Sequence, residues 1–237
     1  MKKTALVTGA AGDGIGRSCA YTLARDGFNV VVNYRSHVAR AEAVCAFIRK
    51  NGGTAVPIQA DVFKQDQCAR LIDETLTHFN RIDACIIGPG ADWNAEPVDE
   101  IDANKSLQDV VQEIEPIYFL LPRIIQEMRK PGSGRIIGFA SNPQIPSPSY
   151  SYNVAKAARA NALLEMVKPC WQDKITVNVI APGPVMHFST ATAAQKALAD
   201  FETSSEGISP QDIAEMVAFL CSAKGRYVTG NVIGHYF

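Results

Sequence analysis

The chain has 237 residues, a formal net charge of −1 and a hydrophobic content of 47%. This is an ordinary globular composition, and the near-zero charge gives no support for nucleic acid or an anionic membrane as the main partner. No apolar run approaches the roughly 20 residues that a membrane span needs.

The cysteines lie far apart along the chain, with no Cys-x-x-Cys pair among them. Disulfide scaffolds are short and dense in cysteine, so these residues are predicted to be buried thiols in a reducing cytosol. The sequence therefore predicts a cytoplasmic protein without a metal site. The six residues are Cys19, Cys45, Cys68, Cys85, Cys170 and Cys221.

Short apolar segments alternate with longer amphipathic ones. This alternation predicts βαβ units and a parallel sheet, and the uniformly apolar strands are typical of a sheet covered by helices on both faces. The fold class is therefore α/β, a Rossmann-like doubly wound sheet of seven strands in a single domain over 1–237. The predicted strands are 5–7, 30–32, 54–59, 82–87, 134–140, 175–180 and 228–233, and the predicted helices are 14–26, 39–50, 65–79, 106–129, 150–167 and 210–222.

The segment 186–207 is the one long insertion, rich in Thr, Ala and Ser and weakly helical. It follows the carboxyl end of a strand, where sheets of this kind bind ligands. A mobile lid on the substrate side is one interpretation, and an ordinary surface loop is the other.

The first strand runs into a glycine-rich turn that contains Gly9, Gly14, Ile15 and Gly16, and a helix follows directly. Glycines let the backbone turn tightly and approach a pyrophosphate, whose charge then lies at the helix N-terminus. Because strand, turn and helix occur in the required order, the sequence predicts a dinucleotide site. Asp13 within this turn would repel a phosphate, so its side chain is expected to point away.

The end of the second strand indicates which dinucleotide is bound. NAD sites usually have an acidic residue there, which bonds the ribose 2′-hydroxyl. This strand instead ends in Tyr34, Arg35 and Ser36, and a cation with a hydroxyl suits a 2′-phosphate. NADPH is therefore the predicted cofactor, with NAD possible, although Arg35 could also be a solvated surface residue. After the third strand, Asp61 and Val62 could hold the adenine, or Asp61 could cap the next helix.

Tyr152 and Lys156 are the candidate catalytic pair. Positions i and i+4 share one face of a helix, and a nearby cation lowers the pKa of a phenol, so Tyr152 could exchange a proton near neutral pH. A hydroxyl such as Ser141 could hold a carbonyl oxygen beside it, unless that serine is only structural. Tyr150 is a rival to Tyr152, but its spacing from Lys156 places it on another face.

These residues resemble the short-chain dehydrogenase/reductase family, over nearly the whole chain. The form of the segment 33–36 is similar to members close to the 3-oxoacyl-[acyl-carrier-protein] reductases, which use NADPH. The motifs that carry the resemblance are Thr8-Gly9 with Gly14-Ile15-Gly16, Asp61-Val62, Gly134-Arg135-Ile136-Ile137 with Ser141, Tyr152 with Lys156, Val177 to Gly183, and Val228-Thr229-Gly230.

The resemblance implies a role for each matching residue. Tyr152 is the proton donor or acceptor, Ser141 orients the substrate oxygen, and Lys156 lowers the pKa of Tyr152 and bonds the nicotinamide ribose. It also implies pairing of subunits through the helices 106–129 and 150–167, in a homodimer or homotetramer. The cofactor-binding residues implied are Gly9, Gly14, Ile15, Gly16, Tyr34, Arg35, Ser36, Asp61, Val62, Gly88, Tyr152, Lys156, Pro182, Gly183 and Val185.

The chain departs from the family pattern at several positions. Four residues separate Gly9 from Gly14 where three are usual, and Ile87-Gly88-Pro89-Gly90 replaces the usual Asn-Asn-Ala-Gly. The family's catalytic Asn aligns with Glu113, which could hold a water, pair with Lys156, or lie on the surface. A Thr expected near the carboxamide aligns with His187, which could contact the cofactor or substrate or be a loop residue. The aromatic tail 234–237 suggests subunit packing or a frayed terminus.

The resulting prediction is an NADPH-preferring oxidoreductase that interconverts a ketone and a secondary alcohol by hydride transfer, acting on a small molecule. Two alternatives stay open. The altered motifs could belong to a cofactor-binding protein with little redox turnover, or to a lyase-like or epimerase-like use of the same scaffold. The pocket for the substrate is expected to be shaped by the segments 92–105, 142–149 and 186–207.

Overall fold

The computed structural model describes residues 2–142, 147–199 and 208–234. Seven parallel strands form one sheet in the order β3-β2-β1-β4-β5-β6-β7. The predicted fold class is confirmed. The strands are β1 (Thr4–Val7), β2 (Asn29–Tyr34), β3 (Thr54–Gln59), β4 (Ala84–Ile87), β5 (Gly134–Phe139), β6 (Ile175–Ala181) and β7 (Val232–Gly234).

Eight α-helices are present among the described residues, and they cover both faces of the sheet. Successive strand residues point to opposite faces, so Val7 packs with one apolar cluster and Leu6 with the other. Helices α1, α2 and α8 contribute to the first cluster, and α3, α4 and α5 to the second. The helices are α1 (Ile15–Arg25), α2 (Val38–Lys50), α3 (Gln65–Phe79), α4 (Ala103–Arg129), α5 (Tyr150–Leu164), α6 (Val167–Trp171), α7 (Ala191–Ala199) and α8 (Pro210–Cys221).

The strand order reverses between β1 and β4, because the chain reaches the edge at β3 and crosses back. The carboxyl ends of these two strands therefore separate the helices that follow them, and a crevice opens there. Ligands bind at this point in doubly wound sheets. The glycine turn after β1 and the segment after β4 both lie at this crevice.

Several predicted boundaries differ from the structure: the strand predicted over 82–87 begins at Ala84, the helix predicted over 150–167 ends at Leu164, and two further differences have a clear local reason. Helix α4 begins at Ala103, earlier than predicted, because the Asp102 carboxylate accepts bonds from the backbone N–H groups of Asn104 (2.9 Å) and Lys105 (3.1 Å). The last strand begins at Val232 rather than at 228. Gly230 has a φ of +75° and donates its N–H to the Val177 carbonyl, so a turn replaces the first part of the predicted strand.

All six cysteines are buried and free, as predicted. Burial raises the pKa of each thiol, to about 12 for Cys221. The predicted lid is helical over α7, and its remainder at 200–207 lies outside the described residues, as do 143–146 and the tail residues 235–237. None of the helices in the described ranges has the length and apolar character that crossing a bilayer needs.

Candidate functional site

One cavity of about 1050 Å³ opens at the carboxyl ends of the strands. It runs from the glycine turn and the end of β2 to the start of α5 and the loop after β6. Every residue predicted for the site lines it. These are Gly9, Gly14, Ile15, Gly16, Tyr34, Arg35, Ser36, Asp61, Val62, Gly88, Ser141, Tyr152, Lys156, Pro182, Gly183 and Val185.

The glycine turn is held by two buried polar side chains from neighbouring strands. The Thr8 hydroxyl donates to the Ile86 carbonyl (3.1 Å) and accepts from the Gly88 N–H (2.9 Å), which joins the end of β1 to the end of β4. The Asn33 amide accepts from the Gly9 N–H (3.2 Å) and donates to the Ala60 carbonyl (3.0 Å). These hydrogen bonds, none of which involves a charged group, hold the turn to β2 and to the end of β4.

The backbone of this turn is packed closely. Gly9 has a φ of +65°, and a Cβ at this position would lie 2.9 Å from Cγ of Pro89. A Cβ on Gly16 would lie 2.8 Å from the Gly9 carbonyl oxygen. Only glycine fits at these points, and Pro89, which stands in the altered segment after β4, packs directly on the turn.

Asp13 does not line the cavity, in agreement with the expectation that it points away. Its carboxylate forms ion pairs with Arg17 (3.3 Å) and Arg40 (2.9 Å). The buried Arg17 also donates to the Phe188 carbonyl (2.9 Å), so the glycine turn and the loop after β6 are joined through one guanidinium. The negative charge of the longer turn is thereby neutralised.

The end of β2 presents Arg35 to the cavity. No acidic side chain of the described residues forms an ion pair with Arg35, in contrast to Arg17 and Arg40. After the neighbouring strand β3, the Asp61 carboxylate accepts the Phe63 N–H (3.1 Å) and shapes the turn before α3. Asp61 therefore has a structural bond and also lines the cavity.

Tyr152 and Lys156 lie on the same face of α5, as the spacing predicts. The Lys156 Nζ is 5.1 Å from the centre of the Tyr152 ring. Tyr150, the rival residue, lies outside the cavity and is half exposed. Ser141 follows β5 and also lines the cavity. All three predicted catalytic residues therefore lie on the walls of one cavity.

Glu113 is buried beneath this pair and is not a surface residue. Its Oε1 lies 2.8 Å from the Lys156 Nζ and accepts the Ala91 N–H (2.7 Å), and its Oε2 lies 2.7 Å from a guanidinium nitrogen of Arg159. Of the three possibilities for Glu113, the direct pair with Lys156 is the one found. We call Glu113, Lys156 and Arg159 the buried triad.

Arg159 is the residue that the sequence interpretation missed. It is fully buried, and it donates to the carbonyls of Ile87 (2.7 Å) and Pro89 (2.6 Å) as well as to Glu113. A signal was available, because Arg159 lies seven residues after Tyr152 and three after Lys156, on the same face of a helix otherwise rich in alanine.

The buried triad changes the acidity expected for Tyr152. Burial, followed by the charges of Glu113 and Asp92, raises the pKa of Tyr152 to about 12, against a lowering effect of Arg159. Burial and Arg159 lower the pKa of Lys156, although Glu113 opposes them. The expected lowering of the Tyr152 pKa is therefore not found, and the Lys156 ammonium pairs with the buried Glu113 carboxylate.

Burial acts to raise the pKa of Glu113, but the charges and hydrogen bonds of Lys156 and Arg159 outweigh it, so this pKa is lowered. Glu113 is consequently ionised at neutral pH. A buried carboxylate without partners would be costly, by several kcal/mol, and here both oxygens are satisfied.

The three segments expected to shape the substrate pocket each contribute to the cavity, through Asp92 and Trp93, Ser147 and Pro148, and Met186 and His187. His187 lies over the glycine turn, where its Nδ1 would be 3.5 Å from a Cβ on Gly14. Its side chain is thus close to the glycine turn, and the roles left open for it, a contact with the cofactor or the substrate or a place in the loop, stay predictions.

A doubly wound sheet, a glycine turn and a Tyr-Lys helix that share one cavity define a nicotinamide-dependent dehydrogenase or reductase. The comparisons with known proteins agree. A family profile described as "Enoyl-(Acyl carrier protein) reductase" matches residues 9–235. The chain belongs to the short-chain dehydrogenase/reductase family and is an NAD(P)-dependent member of it.

Relatives and solved structures cover almost the full chain. The 3-oxoacyl-[acyl-carrier-protein] reductase FabG of Staphylococcus epidermidis is 32% identical over 98% of this chain and 97% of its own. The short chain dehydrogenase/reductase AacuN of Aspergillus aculeatus is 33% identical over 96% and 92%. The acetoin dehydrogenase YohF of Salmonella typhimurium superposes with a TM-score of 0.84 at 25% identity, covering 99% of this chain and 94% of that one.

Proposed function

We propose that the protein is an NADPH-preferring oxidoreductase that interconverts a ketone and a secondary alcohol, with Tyr152 as the proton donor or acceptor. One observation carries the proposal. A single cavity is lined at one end by the glycine turn and Arg35, and at the other by Ser141, Tyr152 and Lys156.

The residues of the cavity fit a dinucleotide. The turn at Gly9 and Gly16 has no space for a Cβ, so bare backbone N–H groups would face a pyrophosphate at the start of α1. Arg35 and Ser36 would bind the 2′-phosphate beside Tyr34, and Asp61 and Val62 the adenine. Gly88, Pro182, Gly183 and Val185 would surround the nicotinamide part, with Lys156 bonding its ribose and Tyr152 beside it.

The preference for NADPH rests on Arg35. Arg35 lines the cavity and is exposed, and no carboxylate of the described residues forms an ion pair with it, in contrast to Arg17 and Arg40. A charge-assisted hydrogen bond to a phosphate is worth about 1.5–3 kcal/mol, and NADH lacks that phosphate.

When bound, the cofactor supplies a hydride to the carbonyl carbon. Ser141 donates a hydrogen bond to the carbonyl oxygen, which becomes more negative as the hydride arrives. The Tyr152 hydroxyl gives its proton to the same oxygen, and in the reverse direction the phenolate takes it back.

The names of the relatives guide the choice of substrates to test. A 3-oxoacyl thioester is suggested by the FabG reductases, and a small hydroxyketone by the acetoin dehydrogenases. The substrate end is lined by Trp93 and Met186, which offer apolar surface. We further propose that the segment from Met186 through α7 covers this end.

We also propose a homodimer or homotetramer that pairs through α4 and α5. Several large apolar side chains are exposed on these two helices, and burying such a surface favours association. On α4 and α5 they are Leu107, Val111, Tyr118, Tyr150 and Val154. Sedimentation of the purified chain tests this part, and a monomer at micromolar concentration would contradict it.

Titration of the protein with NADPH and NADH, followed by a panel of ketones, hydroxyketones and 3-oxoacyl thioesters, tests the function. We expect tighter binding of NADPH and consumption of it with at least one ketone. Arg35→Ala should weaken NADPH by about tenfold to a hundredfold and leave NADH nearly unchanged. The matched control is Arg49→Ala, which removes an exposed guanidinium of α2 outside the cavity.

Two results would contradict the proposal in different ways. Equal losses for both nucleotides in Arg35→Ala would refute the basis of the preference. Tight binding of NADPH with no consumption across the whole panel would instead support a cofactor-binding protein with little redox turnover.

A further inference from the structure

The three charges of the buried triad come from two helices and meet directly beside Tyr152. Glu113 and Arg159 are fully buried, and Lys156 is nearly so. Charged groups in such an interior need partners for every polar atom, since an uncompensated buried charge costs several kcal/mol. Glu113 satisfies this requirement, because its two oxygens accept from Lys156, Arg159 and the Ala91 N–H.

The carboxylate of Glu113 has little freedom to move. Arg159 donates hydrogen bonds to the carbonyls of Ile87 and Pro89 at the end of β4. From that fixed position it also donates to the Glu113 carboxylate. On the other side, a Cβ on Gly90 would lie only 2.3 Å from Glu113 Oε2. The glycine therefore leaves just enough space for the carboxylate, and the loop after β4 encloses it.

Lys156 is consequently held between an anion and an aromatic ring. Its Nζ is 2.8 Å from Glu113 Oε1 and 5.1 Å from the centre of the Tyr152 ring. The charged groups near Tyr152 are Lys156 and Arg159 on its own helix, Glu113 from α4, and Asp92 from the loop after β4. Glu113 and Asp92 favour the protonated phenol, whereas Arg159 favours the phenolate.

We propose that Glu113 and Arg159 are positioning residues for proton transfer. Arg159 fixes the Glu113 carboxylate, Glu113 holds the Lys156 ammonium, and the two together set the acidity of the Tyr152 hydroxyl. This inference rests on the proposed function in one respect, namely that Tyr152 transfers the proton. It adds that two residues outside the reacting groups determine the pH range in which the transfer occurs.

The two residues are predicted to act with opposite signs. Glu113→Gln removes the negative charge and keeps the shape, so the phenolate becomes easier to form and Tyr152 should ionise about one to two pH units lower. Arg159→Gln removes a positive charge and leaves Glu113 in place, so Tyr152 should ionise at higher pH. If Glu113 and Arg159 had only a structural role, the two substitutions would not shift the ionisation of Tyr152 in opposite directions.

Titration of Tyr152 by carbon-13 NMR measures this directly. The protein would carry tyrosine labelled at Cζ, and Tyr152→Phe would identify the signal of Tyr152 among the seven tyrosines of the chain. The titration is run with and without saturating NADP⁺. Glu115→Gln is the matched control, since it makes the same change two residues along α4, outside the buried triad.

We expect the midpoint of the Tyr152 titration to lie at lower pH in Glu113→Gln than in the wild type, at higher pH in Arg159→Gln, and at the same pH in Glu115→Gln. Equal midpoints in Glu113→Gln and Glu115→Gln would overturn the proposal, as would shifts of the same sign in the two triad variants. If circular dichroism shows that Glu113→Gln is not folded, the sign of the shift of the Tyr152 midpoint in Arg159→Gln decides whether the proposal stands. No substrate is needed, so an absence of turnover would count against the proposed function and leave this test intact.

Discussion

The cavity has two ends that are built by different means. At the nucleotide end, the turn after β1 is fixed by neutral hydrogen bonds from Thr8 and Asn33 and by glycines that have no space for a side chain. At the catalytic end, Tyr152 lies beside three buried charges. Neutral hydrogen bonds and close backbone packing thus hold the turn at the first end, with the ion pairs of Asp13 beside it, whereas three buried charges shape the second.

This difference decides how each end tolerates change. A neutral hydrogen bond contributes about 1 kcal/mol, and its loss stays local. Removing one member of a buried charge pair leaves the others uncompensated, at a cost of several kcal/mol. The catalytic end should therefore respond more strongly to single substitutions, and to pH, than the nucleotide end.

The largest expected effect is a loss of turnover at the catalytic end that leaves nucleotide binding almost unchanged. Tyr152→Phe removes the only group proposed to exchange the proton, so kcat should fall by about 10²–10⁴-fold, while the Kd for NADPH changes little. Steady-state kinetics and fluorescence titration measure the two quantities. Tyr150→Phe is the control, because this residue lies outside the cavity. A Tyr152→Phe enzyme with near-normal kcat would refute the assignment.

Two glycine substitutions compare the tight packing around the Glu113 carboxylate with an open position of the nucleotide turn. Gly90→Ala would place a Cβ 2.3 Å from the Glu113 carboxylate, so we expect a loss of about 1–3 kcal/mol in unfolding free energy. Gly12→Ala in the nucleotide turn meets only the Gly9 carbonyl, at 3.5 Å, and should change stability by less than about 0.5 kcal/mol. Urea denaturation measures the unfolding free energy of both variants. Equal losses of stability would contradict the difference in packing between these two positions.

Stability at low pH should depend on the catalytic end. The pKa of Glu113 is lowered from its usual 4.5 in the folded state, so its ionisation contributes stability that is fully present above that value and is lost as the pH falls through the lowered pKa. Glu113→Gln cannot titrate. The difference in unfolding free energy between wild type and Glu113→Gln should therefore narrow in acid, by about 1 kcal/mol per unit of depression.

Urea titrations of both proteins from neutral to acidic pH measure this difference, and the other carboxylates cancel because both proteins have them. A difference that is constant over the whole range would show that the Glu113 pKa is not lowered.

The smallest expected effect lies away from both ends. Arg25 on α1 makes two bonds to the Glu215 carboxylate on α8, at 2.6 and 2.9 Å. The pair is partly exposed, and such pairs contribute about 0.2–1 kcal/mol. Arg25→Ala should lower the melting temperature slightly without changing kcat, and the effect should shrink at high salt. A large loss of activity would mean that this surface is coupled to the cavity.

The residues proposed for the nucleotide end could be identified in the sequence because their signals are local. The order of strand, glycine turn and helix, and the residues at the end of β2, are read within a few positions, and all of them line the cavity. The sequence did not predict the hydrogen bonds inside this end. Asn33 joins the turn to the end of β3 through contacts that form only when the strands pair in the sheet.

The catalytic end was predicted in part. The spacing of Tyr152 and Lys156 gave their common face, but the acidity of Tyr152 depends on Glu113 and Arg159, which lie 46 residues apart in sequence. An alignment to the family pattern pointed to Glu113 and left three roles open. Nothing local distinguishes a buried carboxylate from an exposed one on a helix with two prolines, Pro116 and Pro122, in its interior.

A crystal structure of the protein with NADP⁺ tests most directly whether one crevice serves both nucleotide binding and proton transfer. The account predicts that the 2′-phosphate lies against Arg35, the pyrophosphate against Gly14 and Gly16, and the nicotinamide within contact of Tyr152. A nucleotide bound elsewhere on the protein, or one whose nicotinamide lies away from Tyr152, would contradict it.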